Sequence, residues 1–131
     1  MVTKEQHIDF WMNTAEEDWI TVEAMFNAER YLHCLFWAHL VIEKLAKALW
    51  VKNNVEDIPP KTHDIVWLLQ SANVCLETEV MEFLKSFNDF QTSTRYPNYT
   101  SNMATVCTGE VAKNKLEKVK EIRICLQNML Q

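Results

Sequence analysis

The chain has 131 residues and a net charge of −5, and it contains a single glycine, Gly109, beside three prolines. One glycine cannot supply the dinucleotide-binding G-x-G-x-x-G motif or the glycine-rich P-loop, so both phosphate-binding classes are excluded. The acidic balance argues against non-specific binding of duplex nucleic acid, which needs clustered lysine and arginine. The N-terminal segment lacks the apolar stretch of a signal peptide, and no run is apolar enough to span a membrane, so we expect a cytoplasmic protein.

Apolar residues recur at three- and four-residue steps in five segments, the pattern of amphipathic helices. The second segment is apolar around most of its circumference, which predicts a central helix, and Pro59 and Pro60 follow its end. No segment shows sustained alternation with a period of two. The sequence therefore predicts an all-α fold in one domain over residues 1–131: a four-helix up-and-down bundle with an additional short helix. The predicted helices cover approximately residues 4–27, 31–52, 65–72, 77–91 and 108–129.

The four cysteines, Cys34, Cys75, Cys107 and Cys125, are widely spaced and form no C-x-x-C pair. We expect them to be reduced thiols in the protein core. No histidine or cysteine spacing matches a metal site, and we expect neither a metal nor a cofactor.

Polar residues interrupt the apolar second helix at His39, Glu43, Lys44 and Lys47. Residues four apart share a helix face, so His39, Glu43 and Lys47 are expected to be neighbours. One interpretation is a ligand site in a groove, with the histidine as acid or base. The second interpretation, which we favour, is purely structural: a hydrogen-bonded His39–Glu43 pair with a Glu43–Lys47 salt bridge.

Two further segments carry polar residues that suit binding. Thr62-His63-Asp64 precedes the third helix, where Thr62 or Asp64 is a plausible N-cap and His63 a candidate for lining a pocket. Arg95-Tyr96-Pro97-Asn98-Tyr99 combines an arginine, whose planar fork of donors matches phosphate, with tyrosines that can stack on a base. The alternative is that these loop residues only pack against the bundle.

Three stretches together resemble the HEPN domain family of small helical bundles. They are residues 34–49, which contain the element E-K-x-x-K-A-L, residues 60–69, which contain T-H-D-[IL]-x-x-L-L, and Thr94-Arg95-Tyr96-Pro97-Asn98. The resemblance extends over about residues 8–130. It implies a bundle that is frequently dimeric and often partners a minimal nucleotidyltransferase, with nucleotide binding proposed for the bundle. Other members are ribonuclease toxins with an R-x(4–6)-H motif. No arginine here has a histidine at that spacing, and Asn98 replaces the acid of the common R-Y-P-D loop.

The sequence thus leads us to expect a non-catalytic, homodimeric nucleotide-binding module that partners a nucleotidyltransferase of a toxin–antitoxin type. Its expected ligand-binding residues are Arg95, Tyr96, Tyr99, Lys44, Lys47, His63, His39 and Glu43. The alternatives are a degenerate ribonuclease that uses His39 or His63 with Arg95, and a purely structural dimerisation scaffold.

Overall fold

The computed structural model describes residues 1–88 and 107–131, which form five α-helices and no β-strand. The all-α bundle with one additional short helix is therefore confirmed. The described part also contains no helix that is long and apolar enough to cross a membrane. The helices are α1 (Lys4–Asn27), α2 (Tyr31–Asn53), α3 (Ile65–Ser71), α4 (Thr78–Phe87) and α5 (Gly109–Leu130).

Side-chain caps explain where three of these helices begin. The Thr3 hydroxyl accepts a hydrogen bond from the Gln6 backbone N–H, and the Gln6 side chain accepts one from the Thr3 N–H, a reciprocal capping box. Asp64, one of the two predicted caps, accepts from the Trp67 N–H at 3.2 Å. Thr108 caps α5 in the same way. The observed helix boundaries lie within one residue of the predicted ones, except that α4 ends at Phe87, whereas the sequence predicts a helix that includes Asn88 and continues to about residue 91. Residues 89–91 lie outside the described part of the chain.

Two turns in this glycine-poor chain use the left-handed backbone region without glycine. Glu29, between α1 and α2, has a φ of 61°, and Asn73, after α3, has a φ of 58°. Glycine is the usual residue at such helix ends because it has no Cβ to clash there. The Arg30 N–H donates to the Met25 carbonyl at 2.9 Å, which closes the α1–α2 turn and sets the two helices side by side.

The central helix is α2, as predicted, because 15 of its 23 residues are buried. It packs against α1, α3 and α5. Side-chain hydrogen bonds from the ends of neighbouring helices add to this packing. The Lys4 ammonium donates to the Val51 and Asn54 carbonyls and pairs with the Asp57 carboxylate, all at 2.8 Å. These contacts attach the start of α1 to the end of α2.

The expectation of four buried thiols is only half right. Cys34 and Cys107 are buried, and burial raises the pKa of the Cys34 thiol to about 12. Cys75 and Cys125 are exposed, and all four cysteines are free. Cys75 lies in the connection before α4, and Cys125 precedes the inward-facing Leu126 on α5, so the helical repeat turns its side chain outward.

Candidate functional site

A buried polar cluster interrupts the apolar interior of α2. His39, Glu43 and Lys47 retain 0%, 3% and 8% of their accessible surface, which is unusual for groups that carry or can carry charge. The Lys47 ammonium lies 3.2 Å from Glu43 Oε2, and His39 Nδ1 lies 3.8 Å from Glu43 Oε1. The predicted placement of these three residues on one helix face is therefore confirmed.

Glu43 is the centre of this cluster because both its oxygens have cationic or proton-donating partners. Besides the Lys47 pair, Glu43 Oε1 accepts a hydrogen bond from Nδ1 of His63 at 2.9 Å. The Lys47 ammonium also lies 5.2 Å from the centre of the Trp11 ring of α1. Burial of an isolated carboxylate would be prohibitive, and these contacts offset that cost.

His39 bonds to the end of α4 rather than to Glu43. His39 Nε2 lies 2.8 Å from Oδ1 of Asn88, whose amide nitrogen donates to Asp64 Oδ1 at 3.1 Å. Because Asn88 uses its nitrogen on Asp64, its oxygen is the acceptor, and His39 Nε2 must carry the hydrogen. His39 Nδ1 then holds a lone pair and has no hydrogen-bond partner in the described part of the chain. The expected His39–Glu43 hydrogen bond is thus wrong, because at 3.8 Å the two atoms are too far apart, and His63 occupies that role.

Burial makes His39 a source of pH-dependent stability. Desolvation lowers the pKa of His39 below its ordinary value of 6.5, although the Asn88 hydrogen bond and the Glu43 carboxylate oppose this. The unfolded chain therefore binds a proton that the folded protein does not, and stability falls as the pH drops below about 6.5. We expect the unfolding free energy of the wild type to fall by up to about 1.4 kcal/mol more per pH unit than that of His39→Gln.

Urea denaturation at steps between pH 6.5 and 5.5 measures this slope, because most carboxylates stay ionised in that window. Glutamine is the chosen replacement since its amide can still donate to Asn88. Equal slopes for the two proteins would contradict the expectation. The other histidines are present in both proteins, so their titration cancels in the comparison.

The remaining expected site residues fall in different places. His63, just before α3, keeps 51% of its side-chain surface exposed and is the member of the cluster that faces solvent. The Lys44 ammonium pairs with the largely buried Asp18 of α1 rather than with Glu43. The structure therefore brings His39, Glu43, Lys47 and His63 together and leaves Lys44 in a separate ion pair. Arg95, Tyr96 and Tyr99 lie outside the described residues.

Sequence reasoning missed two members of the cluster. Asn88 was predicted to lie inside a longer fourth helix, whereas it directly follows Phe87 and bonds to His39. Asp64 was expected only as a helix cap, and it also accepts the Asn88 amide hydrogen. The polar Thr62-His63-Asp64 run gave some signal for Asp64, but nothing local distinguishes Asn88 from other asparagines.

The chemistry available here is that of a surface imidazole held by a buried carboxylate. Such a carboxylate fixes the orientation and tautomer of the ring, an arrangement used both for binding anions and for acid–base work. Within residues 1–88 and 107–131, this cluster included, no three histidine, cysteine, aspartate or glutamate side chains are arranged to hold a metal ion.

The all-helical bundle, with its polar residues placed on α2 and before α3, defines the class to which the protein belongs. A sequence model of the HEPN domain matches residues 8–129, which is nearly the whole chain. The chain is therefore a member of the HEPN domain family. No match was found among curated proteins or among solved structures.

Proposed function

We propose that this HEPN domain is a non-catalytic nucleotide-binding module that acts as a homodimer and partners a nucleotidyltransferase supplied by another chain, in a toxin–antitoxin type of system. The observation that carries the binding proposal is the half-exposed His63 imidazole, whose Nδ1 is held at 2.9 Å by buried Glu43. The partner and the dimer are proposed from membership of the family. Co-purification with the product of an adjacent reading frame, and sedimentation equilibrium of the purified protein, test those two parts.

The described residues favour His63 as the contact to the ligand and give the other cluster members a supporting role. Glu43 and Lys47 are nearly buried and already paired, and His39 is inaccessible, so none of them presents a surface to a nucleotide. Glu43 orients the His63 ring through the hydrogen bond that its carboxylate accepts from Nδ1. An imidazole that is fixed in this way loses less conformational entropy when it binds a phosphate or a base than a mobile one would.

The sequence supplies the remaining contacts of this proposal. Arg95 has five donors in a planar fork that suits a phosphate, and Tyr96 and Tyr99 offer aromatic faces for a base. With Gly109 as the only glycine, a phosphate site in this chain must be built from side chains rather than from a glycine-rich loop.

Isothermal titration calorimetry with ATP, GTP and AMP tests the binding proposal. We expect at least one nucleotide to bind, and we expect His63→Ala and Arg95→Ala each to weaken it by about tenfold or more, since hydrogen bonds to charged groups contribute about 1.5–3 kcal/mol. His7→Ala, which removes the same side chain from α1, is the matched control and should bind as the wild type does. An absence of heat with every nucleotide would reject the proposal and favour the dimerisation scaffold.

The carboxylate–imidazole pair also favours one second function, a degenerate ribonuclease in which His63 is the acid–base residue. A carboxylate that orients a histidine is the arrangement found behind many general bases. His39 is too deeply buried to serve. Incubation of purified protein with RNA separates the two functions: cleavage that is lost in His63→Ala supports the ribonuclease, and intact RNA rejects it.

A further inference from the structure

The first half of α4 has an apolar face that the rest of the described chain covers only in part. This helix is strongly amphipathic, yet its fully buried residues, Leu84 and Phe87, both lie in its last turn. Val80, Met81 and Phe83 are only partly buried, as is Leu76 just before the helix. An amphipathic helix is normally stabilised by burying its whole apolar stripe, so this half of α4 is open to a further contact.

Two adjoining hollows between α4 and α5 form one groove along this face. One reaches from Val80 to Phe83 and Lys118, and the other from Leu76 to Cys125. Both hollows share Val80 and Ile122 in their floor, with Glu77 and Glu121 on their rim. We call this the α4–α5 groove. The lining follows α4 from Glu77 to Phe83 and α5 from Cys125 to Lys118, so the groove is elongated, the shape that receives a docked helix.

The charges along the α4–α5 groove are unequally distributed. The Leu76 end carries the carboxylates of Glu77 and Glu121 and has no basic residue in its lining. The Phe83 end is lined by the same two carboxylates and by Glu79, but its lining also contains Lys118. The ammonium groups of Lys118 and Lys115 lie 5.3 and 5.8 Å from the centre of the Phe83 ring. The acidic end therefore favours a positively charged occupant.

A second groove, between α1 and α5, carries equal numbers of acidic and basic residues. Its floor is formed by apolar residues that include Trp19, Phe26 and Leu116. Its rim contains two glutamates, Glu23 and Glu117, and two lysines, Lys113 and Lys120. The charges there are balanced, so this groove has no preference for the charge of an occupant and serves as a matched control.

We propose that the α4–α5 groove docks an amphipathic helix of a partner protein. An apolar anchor of that helix enters the hollow between Leu76, Val80 and Ile122, and lysine or arginine side chains beside the anchor pair with Glu77 and Glu121. This interaction is independent of nucleotide binding, because it uses none of the residues around His63.

Cys125 provides a reporter for occupation of the groove. It lines the acidic end and is exposed. Cys75 is the other exposed thiol and can be replaced by serine. Burial raises the pKa values of Cys34 and Cys107, so both react slowly with alkylating reagents. In a Cys75→Ser background, the rate of alkylation by iodoacetamide therefore reports on Cys125.

The experiment compares two synthetic helical peptides of about 16 residues, a length that gives about four helical turns. Both carry leucine at i, i+3 and i+7, and they differ only in having lysine or glutamate at the flanking positions. At about 0.15 M salt we expect the lysine peptide to protect Cys125 and to bind about tenfold more tightly than the glutamate peptide. Fluorescence anisotropy of the labelled peptides measures the affinities.

Charge-reversed variants decide whether the groove itself is responsible. Glu77→Lys/Glu121→Lys should reverse the preference between the two peptides. Glu23→Lys/Glu117→Lys changes the net charge equally at the control groove and should leave the preference intact. If the reversed protein fails to fold by circular dichroism, Glu77→Gln/Glu121→Gln should still weaken binding of the lysine peptide. Failure of the lysine peptide to protect Cys125, equal binding of both peptides, or equal effects of the two variants would overturn the proposal.

Discussion

Replacing Glu43 by alanine should lower the free energy of unfolding by about 3–5 kcal/mol, the loss typical of breaking a buried ion pair from one side. The variant leaves the Lys47 ammonium, 8% exposed, without its carboxylate partner and facing Trp11. His63 loses its hydrogen-bond acceptor as well. Because domains of this size are stable by only about 5–15 kcal/mol, this single change should be evident in urea denaturation.

Two comparisons identify the cause of that loss. In the first, Glu43→Leu/Lys47→Met replaces both charges by apolar side chains, and this protein should be about as stable as the wild type or more so, since the cost of burying the pair disappears with it. The second is a double-mutant cycle of Glu43→Ala and Lys47→Met. Equal losses for Glu43→Ala in the wild-type and Lys47→Met backgrounds would show that the ion pair is not what stabilises Glu43. Exposed Glu79→Ala on α4 is the control and should change stability by no more than about 0.5 kcal/mol.

The helices could be predicted from the sequence because their signals are local. Apolar spacing marks the buried faces, and the caps at Thr3, Asp64 and Thr108 lie within three residues of the backbone groups that they satisfy. The double proline at Pro59 and Pro60 separates α2 from α3 without reference to any distant residue. Local rules of this kind need no knowledge of how the helices pack.

The cluster around Glu43 was predictable only in its local part. The Glu43–Lys47 pair follows from a spacing of four on one helix. The contact between His63 and Glu43 joins residues 20 apart in the chain, and that between His39 and Asn88 joins residues 49 apart. Both depend on how α3 and α4 sit against α2, which spacing within a helix does not reveal. Lys44 illustrates the same point, since its pairing with Asp18 depends on the packing of α1.

Glu43 and Lys47, the ion pair of the Glu43 cluster, are buried, whereas the carboxylates that line the α4–α5 groove are exposed. In the cluster, charges are enclosed and paired, so their main effects are on stability and on the orientation of His63. In the groove, the carboxylates of Glu77 and Glu121 are exposed and bear on what the surface attracts. Phe87 lies between these regions, because its ring contacts both His39 and Phe83.

Phe87→Ala should destabilise the protein by about 3–5 kcal/mol, as large-to-small changes of buried aromatic residues do. Phe87 is 1% exposed, its ring stacks on that of Phe83 at 5.2 Å between centroids, and it lies 5.7 Å from the His39 ring. Its removal leaves a cavity beside α2 and loosens the neighbouring Asn88, which accepts the His39 hydrogen bond. Thermal and urea denaturation, read by circular dichroism, measure the loss.

Two variants on the same helix test whether this loss arises from burial. Phe83→Ala removes an aromatic ring that is only partly buried, so it should cost less than Phe87→Ala, because less apolar surface returns to water. Lys85→Ala alters an exposed side chain and should stay within about 0.5 kcal/mol of the wild type. A loss for Phe87→Ala no greater than that for Phe83→Ala would mean that α4 is not anchored through its last turn. The α4–α5 groove would then lack a fixed wall, since Val80 and Phe83 depend on that anchor for their position beside α5.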